Sequence, residues 1–167
     1  MVDISGGVNG NFNLTFVATN GSDVEETIGN TITDLTVTTG ALVAGTIDIE
    51  GNLNADQNVS TDVGDILVDG TIDTEGTLVS ALGINVGGNS EIGGNVTATS
   101  GSIVLGDTTA DDVTLTANTT FNASDMVDIS GGVNGNFNLT FVATNGSDVE
   151  ETIGNTITDL TVTTGAL

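Results

Sequence analysis

The sequence predicts an all-β chain wound as a parallel β-helix, a β-solenoid of about 21 residues per coil with six coils in each 125-residue repeat. Three observations lead there. Residues 1–42 recur letter for letter as residues 126–167, so the chain reads as part of a tandem array. Short apolar-alternating segments return at a steady interval inside that long repeat. Gly- and Asn-rich links separate them, as sharp corners between strands require.

The long repeat comes first. MVDISGGVNGNFNLTFVATNGSDVEETIGNTITDLTVTTGAL occurs at both ends, 125 positions apart. Each segment of a closed globular fold meets different neighbours, and so has no reason to be duplicated exactly as written. Residues 1–125 are expected to be one full repeat and 126–167 the start of the next, in one continuous solenoid without a linker. Met1 has its copy in Met126, in mid-chain.

The short period appears as two strand series, and repeats of 20–50 residues are the mark of solenoids. The first series is VDIS (2–5), DVEE (23–26), TIDI (46–49), ILVD (66–69), INVG (84–87) and IVLG (103–106), with VDIS again at 127. The second is anchored by Leu14, Leu35, Val59, Leu78, Val96, Leu115 and Leu139. Both series predict six coils per repeat, with the second repeat restarting in phase. Asn-Gly corners also suit antiparallel hairpins, which makes a β-sandwich array the rival architecture. Hairpins do not explain six returns of a similar strand at one interval.

Alternation along a strand sends every second residue inward. Ile4, Leu14, Phe16, Leu35, Val37, Ile47, Ile49, Val59, Ile66, Val68, Leu78, Ile84, Val86, Val96, Ile103, Leu105 and Leu115 are the expected core. Thr15, Thr36, Ser60, Val79, Thr97 and Thr116 follow the anchors and are expected to form a ladder along one outer face, mostly hydroxylated. Flat faces carrying T-x-T rows can bind ice. Thr36–Thr38 and Thr97–Thr99 fit that pattern, while ordinary β-branched stacking is the plainer reading.

Composition narrows function. The chain has no Lys, Arg or His and 23 acids, a net charge of −23. Nucleic-acid backbones and anionic membrane surfaces need cationic partners, so neither is expected. No apolar run approaches the roughly 20 residues of a spanning helix, so direct membrane insertion is not expected either. High net charge with low hydropathy marks disorder, but mean hydropathy here is +0.22 and strand formers dominate.

Catalysis has little to work with. A nucleophilic triad needs a His or Lys base, and zinc, haem or iron–sulfur sites need His or Cys. The chain lacks all three residue types, and no catalytic activity is expected. Carboxylates remain as hard oxygen ligands suited to Ca²⁺. Asp3, Asp23, Glu25 and Asp48 in consecutive first strands, and Asp107, Asp111 and Asp112 at one bend, are the candidate calcium ligands. A solvated acidic face shielded by monovalent cations is the alternative.

The segments VDISGGVNGNFNLTFVAT, GNTITDLTVTTGALVAGTIDIEGN and GSIVLGDTTADDVTLTANTTFNAS resemble the repeats of filamentous-haemagglutinin-like secreted adhesins and giant repetitive bacterial surface proteins. Shared features are a G-x-(V/I)-x-G corner, an N/D-L-T-(V/F) strand and Thr/Asn/Gly-rich links. The resemblance implies a right-handed parallel β-helix displayed outside a bacterial cell. The expected function is that of a structural repeat module in an extracellular filament or giant adhesin stalk. It is expected to self-associate head to tail, because an open coil edge templates the next coil, and laterally where divalent cations or high salt offset the charge. A carbohydrate- or receptor-binding adhesin module is the alternative function, and an ice-binding solenoid a third.

Overall fold

The computed structural model describes residues 1–29, 32–163 and 167. Every regular element among them is a β-strand, and every strand pairing is parallel. The strands stack as a β-solenoid of about eight turns, with equivalent residues about 20 apart.

Each coil has three sides. Side A stacks Val2–Ile4, the first half of Ser22–Ile28, the first half of Leu42–Ile49, Val59–Thr61, Leu78–Ser80, Val96–Ala98, Thr119–Ala123, Leu139–Ala143 and Leu160–Val162. Side B begins at the Val8–Ile28 bridge. It continues through the second half of Leu42–Ile49 to Ile66–Val68, Ile84–Val86, Ile103–Leu105, Val127–Ile129 and Ser147–Val149. Side C runs from Leu14–Val17 through Leu35–Thr39, Leu53–Ala55, Ile72–Thr74, Ser90–Ile92 and Val113–Leu115 to Val133–Asn134, which bridges to Ile153.

Most strands are three residues long, with the first and third buried and the middle one turned outward. That is the period-two pattern read from the sequence. All the residues expected inward do point inward, with Ile4 and Leu14 half-buried and the others buried. Ile47, Ile66, Ile84 and Ile103 form one inward column on side B. On side A, Leu42, Val59, Leu78 and Val96 lead to Phe121 and Phe141, whose rings stack 5.8 Å apart. Beside them runs a column of small residues: Ala44, Thr61, Ser80, Ala98, Ala123 and Ala143. Burying each aliphatic contributes about 1.5–3 kcal/mol, set against the entropy of fixing the coil.

Thr61 and Ser80 carry hydroxyls into this interior, where both donate to the Gly64 carbonyl, at 2.6 and 2.9 Å. The hydroxyls of Ser22, Ser90 and Ser147 are also buried but have no hydrogen-bond partner. Ser22 and Ser147 are the same position of the repeat. An unpaired buried hydroxyl costs stability. Replacing Ser90, which lies between Ile72 and Val113, by Ala is expected to stabilise the fold by about 1 kcal/mol. A raised urea midpoint with unchanged slope is the readout.

The third side departs from the two-strand coil expected from sequence. The anchors also divide: Leu14, Leu35 and Leu115 lie on side C, whereas Val59, Leu78, Val96 and Leu139 lie on side A. N/D-L-T strands occur on both sides, so that motif does not mark a single face. The second copy of the repeat does not restart in phase either. Val2–Ile4 lies on side A, and the identical Val127–Ile129 lies on side B.

Candidate functional site

Corners decide how one coil seats on the next. At seven of the described corners an Asn or Asp standing immediately before the first inward residue of a strand reaches the following coil. Its side-chain oxygen accepts the backbone N–H of the following coil. Asp34 accepts from Asn52 at 3.1 Å, Asn52 from Thr71 at 2.9 Å, and Asn58 from Thr77 at 2.9 Å. Asp65 accepts from Gly83 at 2.7 Å, Asp112 from Gly132 at 2.8 Å, and Asn118 from Asn138 at 3.0 Å. Asn95 does the same for Thr120 at 2.9 Å. The side-chain amide and carboxylate serve the same purpose, and three of the acids are thereby structural clamps. Of these acceptors the sequence singles out only Asp112, as a calcium candidate, although the Asn/Asp-apolar dipeptides Asp34-Leu35, Asn52-Leu53, Asn58-Val59, Asp65-Ile66 and Asp112-Val113 mark the clamp.

The candidate calcium ligands do not converge. Asp3 and Asp23 are neighbours on side A, Glu25 lies at the bend after Asp23, and Asp48 faces out from side B. Asp107, Asp111 and Asp112 share the bend between Leu105 and Val113 but are differently engaged. The Asp111 carboxylate accepts the Thr108 hydroxyl at 2.6 Å and the Thr108 N–H at 3.0 Å. The Thr108 hydroxyl bond holds its carboxyl below the usual range, despite partial desolvation. Asp112 clamps Gly132. No group of three or more acids among the described residues is arranged to hold a metal ion. Two of the three bend acids, Asp111 and Asp112, are thus engaged by the fold's own donors.

The hydroxyl ladder also dissolves. Thr15 and Thr36 are paired on side C, Ser60 and Thr97 lie on side A with Val79 between them, and Thr116 follows the side C strand Val113–Leu115. Thr36–Thr38 and Thr97–Thr99 sit on different sides. Among the described residues these two T-x-T rows are therefore not neighbours.

Charge is unevenly spread along the sides. On side A the outward residues of six consecutive rungs are Val43, Ser60, Val79, Thr97, Asn122 and Val142, without an acid among them. Side B turns out Asp48, Leu67, Asn85, Val104, Asp128 and Asp148. Side C turns out Asp73 and Glu91 among neutral residues. Residues 76–106 contain a single acid, Glu91.

Asp48 shows the cost of this crowding. It lines a side B groove with Leu67, Asp69, Asn85 and Asp107. Partial burial first, then the charges of Asp69 and Glu50, push its carboxyl above its ordinary value of 3.8. The folded chain therefore binds the proton more readily than the unfolded chain, so stability declines as pH rises from 3.8 through the raised value. Asp48→Asn is expected to melt higher than the parent at neutral pH. That advantage should vanish below pH 3.8 and shrink in salt. Thermal melts across pH 3–7 check both arms.

Comparison of the chain with protein-family models, curated proteins and solved structures finds no match. No helix among the described residues is long and apolar enough to cross a membrane.

Proposed function

We propose that the chain is a structural repeat module of an extracellular bacterial filament or giant adhesin stalk, with no catalytic role. One observation carries this reading. The described strands of the 42-residue segment present at both ends join, in both places, the same parallel stack as the residues between them. A module of this kind lengthens by adding coils. Each coil offers unpaired backbone groups on its outer edge, and those groups template the next. The corner clamps supply the register, because each Asn or Asp meets an amide of the adjoining coil.

Lateral association follows the charge distribution. Two chains of charge −23 repel, and the acid-free rungs of side A are where another copy approaches without burying carboxylates. Screening must still reduce the long-range repulsion, whose reach is about 10 Å at 0.1 M salt.

Negative-stain electron microscopy of the purified chain over a salt series tests the proposal. End-to-end rods one solenoid wide, lengthening with added salt, are expected. Compact monomers at every salt and protein concentration would overturn it. Rods unaffected by a chelator are the expected result at corners whose carboxylates already serve the backbone.

A further inference from the structure

We infer that each 125-residue module is rotated by one side of the solenoid relative to the module before it, so that an array presents any given surface in three directions in turn. The inference rests on the tandem-module reading and adds its geometry.

The two copies of the repeated segment supply the observation. Val2–Ile4 stacks under Ser22–Val24 on side A, but its copy Val127–Ile129 stacks on Ile103–Leu105 on side B. Leu14–Val17 lies on side C, and its copy Leu139–Ala143 on side A. Ser22–Val24 lies on side A, and its copy Ser147–Val149 on side B. Leu35–Val37 lies on side C, and its copy Leu160–Val162 on side A. The bridging pair agrees, with Val8 on side B and Val133 on side C. Every matched segment moves one side onward and none moves otherwise.

Counting explains the shift. From Val2–Ile4 to Val127–Ile129 the chain traverses nineteen sides, which is six full coils and one side more. Nineteen is not a multiple of three, so the repeat cannot return to its starting side until a third module is complete. The core tolerates this because all three sides take two inward residues per strand. Phe16 packs inward from side C beside Val37, and its copy Phe141 packs inward from side A against Phe121.

At about 4.8 Å per coil each module advances the array by roughly 30 Å. The acid-free strip, on side A in this chain, falls on side B in the next module and on side C in the one after. A second copy of the array can therefore be met in three directions, at successive 30 Å steps of about that length. Such filaments build a three-dimensional bundle instead of a flat ribbon.

The chain has no cysteine, so pyrene pairs can report which residues are neighbours. Asp23→Cys with Val43→Cys is expected to give excimer emission, since the two are side A partners. Asp128→Cys with Val104→Cys is expected to give it on side B. An in-phase repeat would instead place Asp23 on side B beside Asp48. Excimer emission from Asp23→Cys with Asp48→Cys, and none from Asp23→Cys with Val43→Cys, would overturn the rotation. The Val104–Asp128 pair controls for folding of the labelled chain, because both arrangements retain it. Rods are scored separately: their absence with the expected excimers in place would sink the filament reading and leave the rotation standing.

Discussion

Phe121→Ala is expected to destabilise the chain by about 3–5 kcal/mol, the range for emptying a buried aromatic site. Phe121 is fully buried and stacks on Phe141, with Val96 on its other face of the column. The neighbouring column there is Ala98, Ala123 and Ala143, and none of those side chains can extend to fill the void. In a stack where each coil touches only its neighbours, the damage should stay local before it becomes global. Amide exchange should accelerate first over residues 96–143 while the coils around Ile66 and Ile84 keep their protection. Phe121→Leu, which retains most of the volume, should recover much of the loss. A uniform loss of protection along the chain would contradict this picture of coil-by-coil stability.

Gly40→Val should be comparably severe for a different reason. Gly40 turns the corner from side C to side A with φ at +70°, in the left-handed region where a β-branched residue is strained. A Cβ there would run into the Ala18 carbonyl oxygen and come within 2.5 Å of the Gly21 amide nitrogen. Both obstacles are backbone of the preceding coil, which cannot rotate aside. Strain and clash together cost about 3 kcal/mol or more. The two coils should part at this corner, with protection lost over residues 14–49 in hydrogen exchange. A variant that keeps protection at Leu42 and Ala44 would show that the corner is looser than its contacts imply.

How far the fold was legible follows from which inward residues are large. Side B announces itself because Ile47, Ile66, Ile84 and Ile103 are all isoleucine at nearly equal spacing. Side C is obscured where its inward residues shrink to Ala55, Thr74 and Ser90, none of which stands out against a Thr- and Gly-rich background. With one side blurred, two strands per coil remained, and the anchors of sides A and C merged into one series. The repeat length survived that merger, but the remainder of one side did not. Phase depends on corner lengths, such as the uninterrupted run Leu42–Ile49 that serves two sides without a separating turn.

The structural role of three acids is hidden in the sequence for a related reason. A carboxylate in a chain without cations suggests a metal, yet Asp34, Asp65 and Asp112 are satisfied by backbone amides of the next coil. Asn does the same work at Asn52, Asn58 and Asn118. Interchange of Asn and Asp before an apolar residue was the available sign that geometry, more than charge, selects these positions.

Parallel stacking is the premise of both the filament reading and the rotation between modules. Nuclear Overhauser contacts around Asn85 test it most directly. Asn85 should contact Leu67 and Val104, its partners in the coils on either side. Contacts from Asn85 to Glu91 across the Gly87-Gly88 corner, as in an antiparallel hairpin, would contradict it.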